Sequence, residues 1–259
     1  MAAGSVISEA IRNAKASGRP ALVGWVTAGF PQRETFIQQL TAVAEASDVV
    51  EIGVPFTDPM ADGATIQRAS RAALAQGVSL KWILTELSGP RPKLRAPLLL
   101  MSYLNPLLAY GLDRLPEDAA RAGVSGFIVP DLPFEECEDV RAALAAHGIA
   151  LVQLVTPVTP TERIQMLCAA SSGFVYAVTM TGTTGKNFAV QEELLEYFAR
   201  VKRVSQLPVC AGFGIRSREQ VERLAPYVDG VVVASALVEM WERGEDPVAF
   251  LRSLRSESG

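Results

Sequence analysis

Residues 48–56 read DVVEIGVPF, a continuous apolar run that holds a single glutamate. Seven further apolar runs of similar length occur along the chain, at residues 21–29, 96–105, 126–131, 150–157, 173–180, 208–214 and 230–238. Each run has the length and the β-branched content of a buried strand. Amphipathic, helix-like stretches lie between them, for example at 34–46, 135–148, 160–170 and 190–204. This alternation is typical of a parallel sheet covered by helices.

Eight such units in about 250 residues predict a closed (β/α)₈ barrel, the TIM barrel. An additional helix is expected before the first strand, over about residues 5–17. An open, doubly wound sheet is the alternative, and a GxGxxG after the first strand would favour it. The sequence at that point is AGFPQRE. Since no linker divides the chain, we expect residues 1–259 to form one domain.

Composition excludes several classes of protein. Apolar residues make up 49% and charged residues 20%, so the chain is not disordered and has enough apolar material for a sizeable core. The net charge of −4 argues against nucleic acid or an anionic membrane as the main partner. Apolar runs stay well short of the roughly 18 residues of a membrane span. Three dispersed cysteines without CxxC, and no secretory signal, favour a cytoplasmic protein.

Glu51 stands where parallel strands are normally apolar. Side chains alternate along a strand, so Val50, Ile52 and Val54 share one face and Glu51 shares the other with Gly53. The larger apolar set should face the helices, which points Glu51 into the barrel, with open space expected above Gly53. A buried carboxylate without a cation has a raised pKa or contacts substrate, and both suit a general acid or base. The alternative is a structural glutamate bonded to hydroxyls or water.

The loop after this strand, TDPMADGAT, brings two more carboxylates to the mouth of the barrel. Asp62 precedes a helical run and could cap it, and Asp58 precedes a proline and could form a turn. Asp62 nevertheless lies in the same region as Glu51. Two carboxyls in different environments can divide the roles of acid–base catalyst and charge stabiliser.

The loops after the last three strands favour a phosphorylated substrate. TMTGTTGKN follows strand six and is small, polar and glycine-containing, as loops that close over anions are. Backbone N–H groups of Gly214, Ala234 and Ser235 follow strands seven and eight, where TIM barrels often bind phosphate.

Other conspicuous residues have simpler interpretations. His147, the one histidine, is expected at a helix end on the bottom side of the barrel, away from the loops that follow the strands. A metal site is therefore not expected. Asp131 ends strand four and could shape the site, contact a subunit or cap a helix. Trp25, Tyr176 and Phe213 lie on the site end of their strands and are either core residues or the walls of an aromatic pocket.

The run EIGVPFTDPMADGATIQ (51–67) resembles the signature of the tryptophan synthase alpha subunit family. SYLNPLLAYG, VPDLPFEE, GTTG, AGFGIRS and ASALV occur in that family's order and spacing, and together the matches cover residues 5–255. The resemblance implies a (β/α)₈ lyase that cleaves indole-3-glycerol phosphate to indole and glyceraldehyde 3-phosphate by a reverse aldol reaction, in tryptophan biosynthesis.

By the same resemblance, Glu51 is the catalytic acid/base and Asp62 bonds the indole N–H. Tyr176 and Phe213 belong to the substrate site, and Thr184 organises Asp62. The phosphate region comprises Gly185, Gly214, Ala234 and Ser235. Many family members have glycine in place of Ala234, and some have arginine in place of Met180.

The family implies an α₂β₂ complex with a beta subunit, to which pyridoxal phosphate belongs; no cofactor is expected on this chain. Asp58 and the loops after strands two and six match the communicating region of that complex. Three other hypotheses remain open at this point: a free-standing lyase, a regulatory binding subunit without appreciable turnover, and a different barrel enzyme for phosphorylated substrates.

Overall fold

Eight parallel strands follow one another around a closed barrel in sequence order, which confirms the predicted TIM barrel. The computed structural model describes residues 2–179, 192–212 and 214–255. Each predicted apolar run contributes one strand. The strands are β1 (Ala21–Thr27), β2 (Val49–Gly53), β3 (Leu98–Met101), β4 (Val124–Ile128), β5 (Ala150–Val155), β6 (Val175–Val178), β7 (Val209–Gly212) and β8 (Gly230–Val233).

Helices cover the outside of the barrel. Within the described residues they are α1 (Ser5–Ala16), α2 (Phe36–Ala46), α3 (Ala64–Ala75), α4 (Leu80–Ser88), α5 (Leu104–Tyr110), α6 (Leu115–Arg121), α7 (Glu138–Ala146), α8 (Thr161–Ala170), α9 (Glu192–Val204), α10 (Arg218–Leu224), α11 (Ser235–Arg243) and α12 (Pro247–Ser253). None of these helices combines the length and apolar composition that crossing a bilayer requires.

Side-chain alternation divides the core in two. Val50 and Ile52 of β2 belong to the outer core between sheet and helices, whereas Val49 belongs to a separate cluster inside the barrel. This is the alternation expected for strands buried on both faces. It confirms that the face carrying Glu51 is the inner one.

The helix expected over about residues 5–17 is present as α1, and it closes the amino-terminal end of the barrel. Its residues Ile7 and Ile11 are fully buried and belong to the inner cluster. A Cβ on Gly126 would lie 3.0 Å from Cδ1 of Ile7. Because α1 fills this end, the site must lie at the opposite one, where the loops after the strands meet.

Two of the predicted apolar runs pass from strand into helix. The run at 96–105 predicts an extended segment, but α5 begins at Leu104. Asp131 provides the reason, because its Oδ1 accepts a hydrogen bond of 2.8 Å from the Leu104 N–H. The last run becomes helical at Ser235, where α11 follows β8 after one residue.

Candidate active site

Glu51 lies in the middle of β2 and points into the barrel. Its neighbours in register are Trp25 on β1 and Leu99 on β3, and only 1% of the residue is exposed. Within the described residues, Oε2 of Glu51 has no hydrogen-bond partner. Burial, and then the negative charge of Asp62, raise the pKa of Glu51 to about 8. A carboxyl of this kind is mostly protonated at neutral pH and can deliver a proton.

The space above Gly53 is filled, which corrects the expectation that it would be open. A Cβ at this position would lie 2.1 Å from Cζ2 of Trp25, so the indole ring of Trp25 lies directly against Gly53. The Trp25 Nε1–H donates to Oγ1 of Thr27 at 2.9 Å, which fixes the ring. Trp25 therefore forms a wall next to Glu51, and Gly53 is required because any side chain would displace that wall.

Asp62 is held in the loop between β2 and α3. Its N–H donates to the Pro59 carbonyl at 3.1 Å, and its own carbonyl accepts from Nε2 of Gln67 at 2.9 Å. Helix α3 begins after Gly63 without a side-chain cap, so Asp62 is not the capping residue that the sequence also allowed. Burial raises the pKa of Asp62 to about 6, and a hydrogen bond from Tyr103 opposes that rise.

Tyr103 is a site residue that the sequence analysis did not single out. Its hydroxyl accepts a hydrogen bond of 2.9 Å from the Ala61 N–H and bonds the Asp62 carboxyl. Its ring stacks on Phe56, with centroids 5.3 Å apart. Tyr103 thus supports the Asp62 loop from the adjacent β3 side. Its motif, SYLNPLLAYG, carries information only through the family resemblance, because nothing local to Tyr103 indicates which loop it meets.

Tyr176 on β6 faces the same interior. Its ring covers Gly212, where a Cβ would lie 2.6 Å from Cε2 of the tyrosine. Burial raises the pKa of Tyr176, and the charges of Glu51, Cys210 and Asp62 raise it further. The structure therefore brings Tyr176 together with both carboxyls, and the tyrosine is neutral.

Gly214, Ala234 and Ser235 follow two strands that pair with each other. Strands β7 and β8 pair with Gly212 opposite Val232, so the segments that follow them are adjacent. Gly214 is exposed and has a φ of 48°, with no atom within 4 Å of a Cβ built there. Ala234 precedes α11 and Ser235 is its first residue, so the helix presents its unsatisfied N–H groups at this place. The arrangement suits an anion.

Three predicted site residues, Thr184, Gly185 and Phe213, lie outside the described residues, as does Met180. Asp58 is exposed at the rim, where its carboxylate accepts a hydrogen bond from Oγ1 of Thr57. Among the described residues there is no group of three or more His, Cys, Asp or Glu side chains placed to hold a metal ion.

Known proteins that are similar in sequence and in fold point to one family. The family model of the tryptophan synthase alpha chain matches residues 11–255. The chain belongs to that family. The tryptophan synthase alpha chain of Nitratidesulfovibrio vulgaris is 44% identical over 250 residues, which cover 96% of this chain and 97% of that protein. The alpha chain of a Roseiflexus species is 43% identical, with 97% of this chain and 99% of that protein covered.

Solved structures that are similar to this one include members of the same family. The tryptophan synthase alpha subunit of Legionella pneumophila superposes with a TM-score of 0.86 at 32% identity, covering 98% of this chain and 97% of that one. A chain of the aminoacrylate-bound tryptophan synthase of M. tuberculosis gives a TM-score of 0.85 at 35% identity, with 96% and 98% covered. As a tryptophan synthase alpha chain, the protein is a carbon–carbon lyase that cleaves indole-3-glycerol phosphate to indole and glyceraldehyde 3-phosphate. Alpha chains work in partnership with a beta subunit.

Proposed function

We propose that Glu51 is the acid/base of the cleavage and that Asp62 stabilises the charge that develops on the indole ring. Neutral indole is a poor carbanion leaving group, so C3 of the ring must be protonated before the carbon–carbon bond breaks. A proton must also leave the adjacent glycerol hydroxyl. Glu51 accounts for both proton transfers, and Asp62 stabilises the positive charge that the ring carries between them.

The single observation that carries this proposal is the environment of Glu51. Its carboxyl is buried beside the indole wall of Trp25, its pKa lies near 8, and no cation among the described residues neutralises it. At pH 7 the group is a neutral acid able to give a proton to C3 and later recover one from the substrate. A purely structural glutamate would be expected to have both oxygens bonded.

Asp62 suits the complementary role. With a pKa near 6 it is mostly ionised at pH 7, while Glu51 is mostly protonated. An ionised carboxylate that accepts the indole N–H stabilises the cationic ring formed on protonation. Tyr176 borders the same space as a neutral surface.

The phosphate of the substrate is assigned to the rim formed by Gly214, Ala234 and Ser235. Support comes from the exposed positive-φ backbone at Gly214 and the amino-terminal end of α11. An alanine in place of the glycine common in the family leaves the backbone N–H of residue 234 in place. From the family resemblance, Gly185 is assigned to the phosphate region. Thr184 is assigned to a contact that organises Asp62.

Turnover of the Glu51→Gln variant tests the catalytic roles. We expect cleavage to fall by about 10²-fold or more, while binding of the product analogue glycerol 3-phosphate is retained. Asp62→Asn should impair cleavage more than binding. Glu219→Gln, an exposed carboxylate on α10, is the control and should leave turnover unchanged. Retained cleavage in Glu51→Gln contradicts the acid/base role, and a wild-type chain that binds but never turns over would be a regulatory subunit.

We further propose that the beta subunit docks on the site end of the barrel, in an α₂β₂ assembly. Two large apolar side chains are exposed in the loops that directly follow strands: Met60 after β2 and Val158 after β5, with 94% and 73% exposed. Exposed apolar groups on one face mark an interaction surface. The exposed Asp58 lies on the same rim.

Activation by the beta subunit tests this surface. Met60→Glu should leave cleavage by the isolated chain intact and abolish its stimulation by added beta subunit. Met166→Glu on α8, where 49% of the methionine is exposed, is the matched control and should keep the stimulation. Equal stimulation of wild type and Met60→Glu would contradict the docking surface, and no stimulation of either would favour a free-standing lyase.

The proposal assigns no cofactor to this chain, because acid–base catalysis by carboxyls accomplishes the cleavage, and it leaves pyridoxal phosphate to the beta subunit. The proposed partners are a small phosphorylated substrate and the beta subunit. A cytoplasmic location fits a biosynthetic enzyme whose cysteines, Cys137, Cys168 and Cys210, are all free and buried.

A further inference from the structure

Glu239 joins three segments that border the site. It lies on α11, one turn after Ser235, and accepts two hydrogen bonds of 2.7 Å from the guanidinium of Arg216. The hydroxyl of Thr65 donates to its Oε1 at 3.4 Å. Arg216 belongs to the loop after β7, and Thr65 belongs to the first turn of α3. One carboxylate therefore connects the loop after β7, the start of α11 and the start of α3.

Each connected segment leads directly to a proposed substrate contact. Arg216 follows Gly214 by two residues, and its own N–H is fixed by Oε1 of Gln220 at 2.7 Å. Thr65 follows Asp62 by three residues and is 94% buried, since only 6% of it is exposed. Movement at Glu239 would therefore reach Gly214 and Ser235 together, and Asp62 more weakly through the longer bond to Thr65.

This ion pair is shielded on its carboxylate side. Only 19% of the Glu239 side chain is exposed, against 42% of Arg216, and the contact is bidentate, a geometry that fixes a guanidinium. The neighbouring pair between Arg68 on α3 and Glu242 on α11 is also bidentate and slightly more open, with 49% and 28% of the side chains exposed. It connects two helices but reaches no loop of the site.

The geometry points to Glu239 as a positioning residue that holds the loop after β7 and the start of α11 in a fixed relative position. These two segments form the proposed phosphate-binding rim. Glu239 touches neither substrate nor the reacting atoms. It acts through Arg216 on the loop carrying Gly214 and through its own helix on Ser235. This inference depends on the proposed function in one respect, the assignment of the substrate phosphate to that rim.

The test compares binding of two probes, glycerol 3-phosphate for the phosphate end and indole for the apolar end, to the full chain. Glu239→Gln keeps the shape of the side chain and removes its charge. We expect its dissociation constant for glycerol 3-phosphate to rise about tenfold and that for indole to stay within about twofold. Correspondingly, KM for indole-3-glycerol phosphate should rise more than kcat falls. Glu242→Gln is the matched control on the same helix and should behave as wild type.

Reversing the pair provides an independent check. The single variant Arg216→Glu should weaken glycerol 3-phosphate binding, and combining it with Glu239→Arg should restore part of the loss. Equal weakening of both probes, or a lowered unfolding midpoint without selective loss of the phosphate probe, would overturn the positioning role and leave a structural one. If wild type itself fails to bind glycerol 3-phosphate in competition with substrate, the phosphate assignment is wrong, which is a different failure.

Discussion

Replacing Glu51 by glutamine should stabilise the fold, and increasingly so as the pH rises. The native barrel holds the carboxyl in an apolar interior, where its ionised form is disfavoured, whereas the unfolded chain exposes it to water. Folding therefore opposes ionisation of Glu51. Glutamine has nearly the same shape as the protonated acid and does not ionise, so it avoids this cost.

The size of the effect follows from the two pKa values. The pKa of Glu51 rises from 4.5 to about 8 in the native state. Below 4.5 the group is protonated in both states and costs nothing. Between 4.5 and 8 the unfolded chain releases the proton first, so stability falls as pH rises, and the loss levels off above 8. At about 1.4 kcal/mol per pH unit, the loss is about 3 kcal/mol at pH 7 and about 5 kcal/mol above pH 8.

Urea unfolding of wild type and Glu51→Gln at several pH values between 4 and 9 measures this difference. Burial of Asp62 also makes stability pH-dependent, but that carboxyl is present in both proteins and largely cancels. The curves should coincide near pH 4 and separate by about 3 kcal/mol at pH 7. If glutamine is neutral or destabilising at pH 8, Glu51 is a charged group with compensating bonds, and its assignment as a neutral acid fails.

Two further predictions concern the surroundings of Glu51. Asp62→Asn removes the charge that adds to the effect of burial, so the pKa of Glu51 should fall from about 8 yet stay above 4.5. Carboxyl chemical shifts of ¹³C-labelled glutamate measure this pKa. An unchanged value would show that the charge of Asp62 does not act on Glu51. Gly53→Ala places a Cβ 2.1 Å from the Trp25 ring, so we expect a loss of about 1–3 kcal/mol in the free energy of unfolding and altered tryptophan fluorescence, and an unaltered protein would show that the ring moves freely.

The sequence predicts those features of the site that depend on local periodicity. Alternation within DVVEIGVPF is enough to turn Glu51 inward, since a period of two is fixed by the strand itself. The same reasoning fails for Gly53. Its missing side chain reads as empty space along β2, but the ring of Trp25 from β1 fills that space. Which neighbour fills a gap depends on strand register, and a single run of residues does not contain that information.

Contacts between loops are hidden from the sequence for the same reason. Tyr103 meets Asp62 only because β3 lies beside β2, and Glu239 meets Thr65 only because closure of the barrel brings α11 beside α3. The eight-strand alternation predicts that such neighbours exist, but the side chains that meet depend on loop conformations tens of residues apart.

These loop contacts determine the chemistry of the strand residue. The charge of Asp62 contributes to the raised pKa of Glu51, and the position of Asp62 depends on bonds from Tyr103 and Gln67. A loop displaced from the mouth would thus remove the ring stabiliser and also make Glu51 a stronger acid that loses its proton nearer neutral pH. Burial alone keeps Glu51 protonated in part, because it is the larger cause of the shift. Burial in the barrel therefore causes most of the rise in the pKa of Glu51. The loop adds the rest, because it holds the ionised Asp62 nearby at neutral pH.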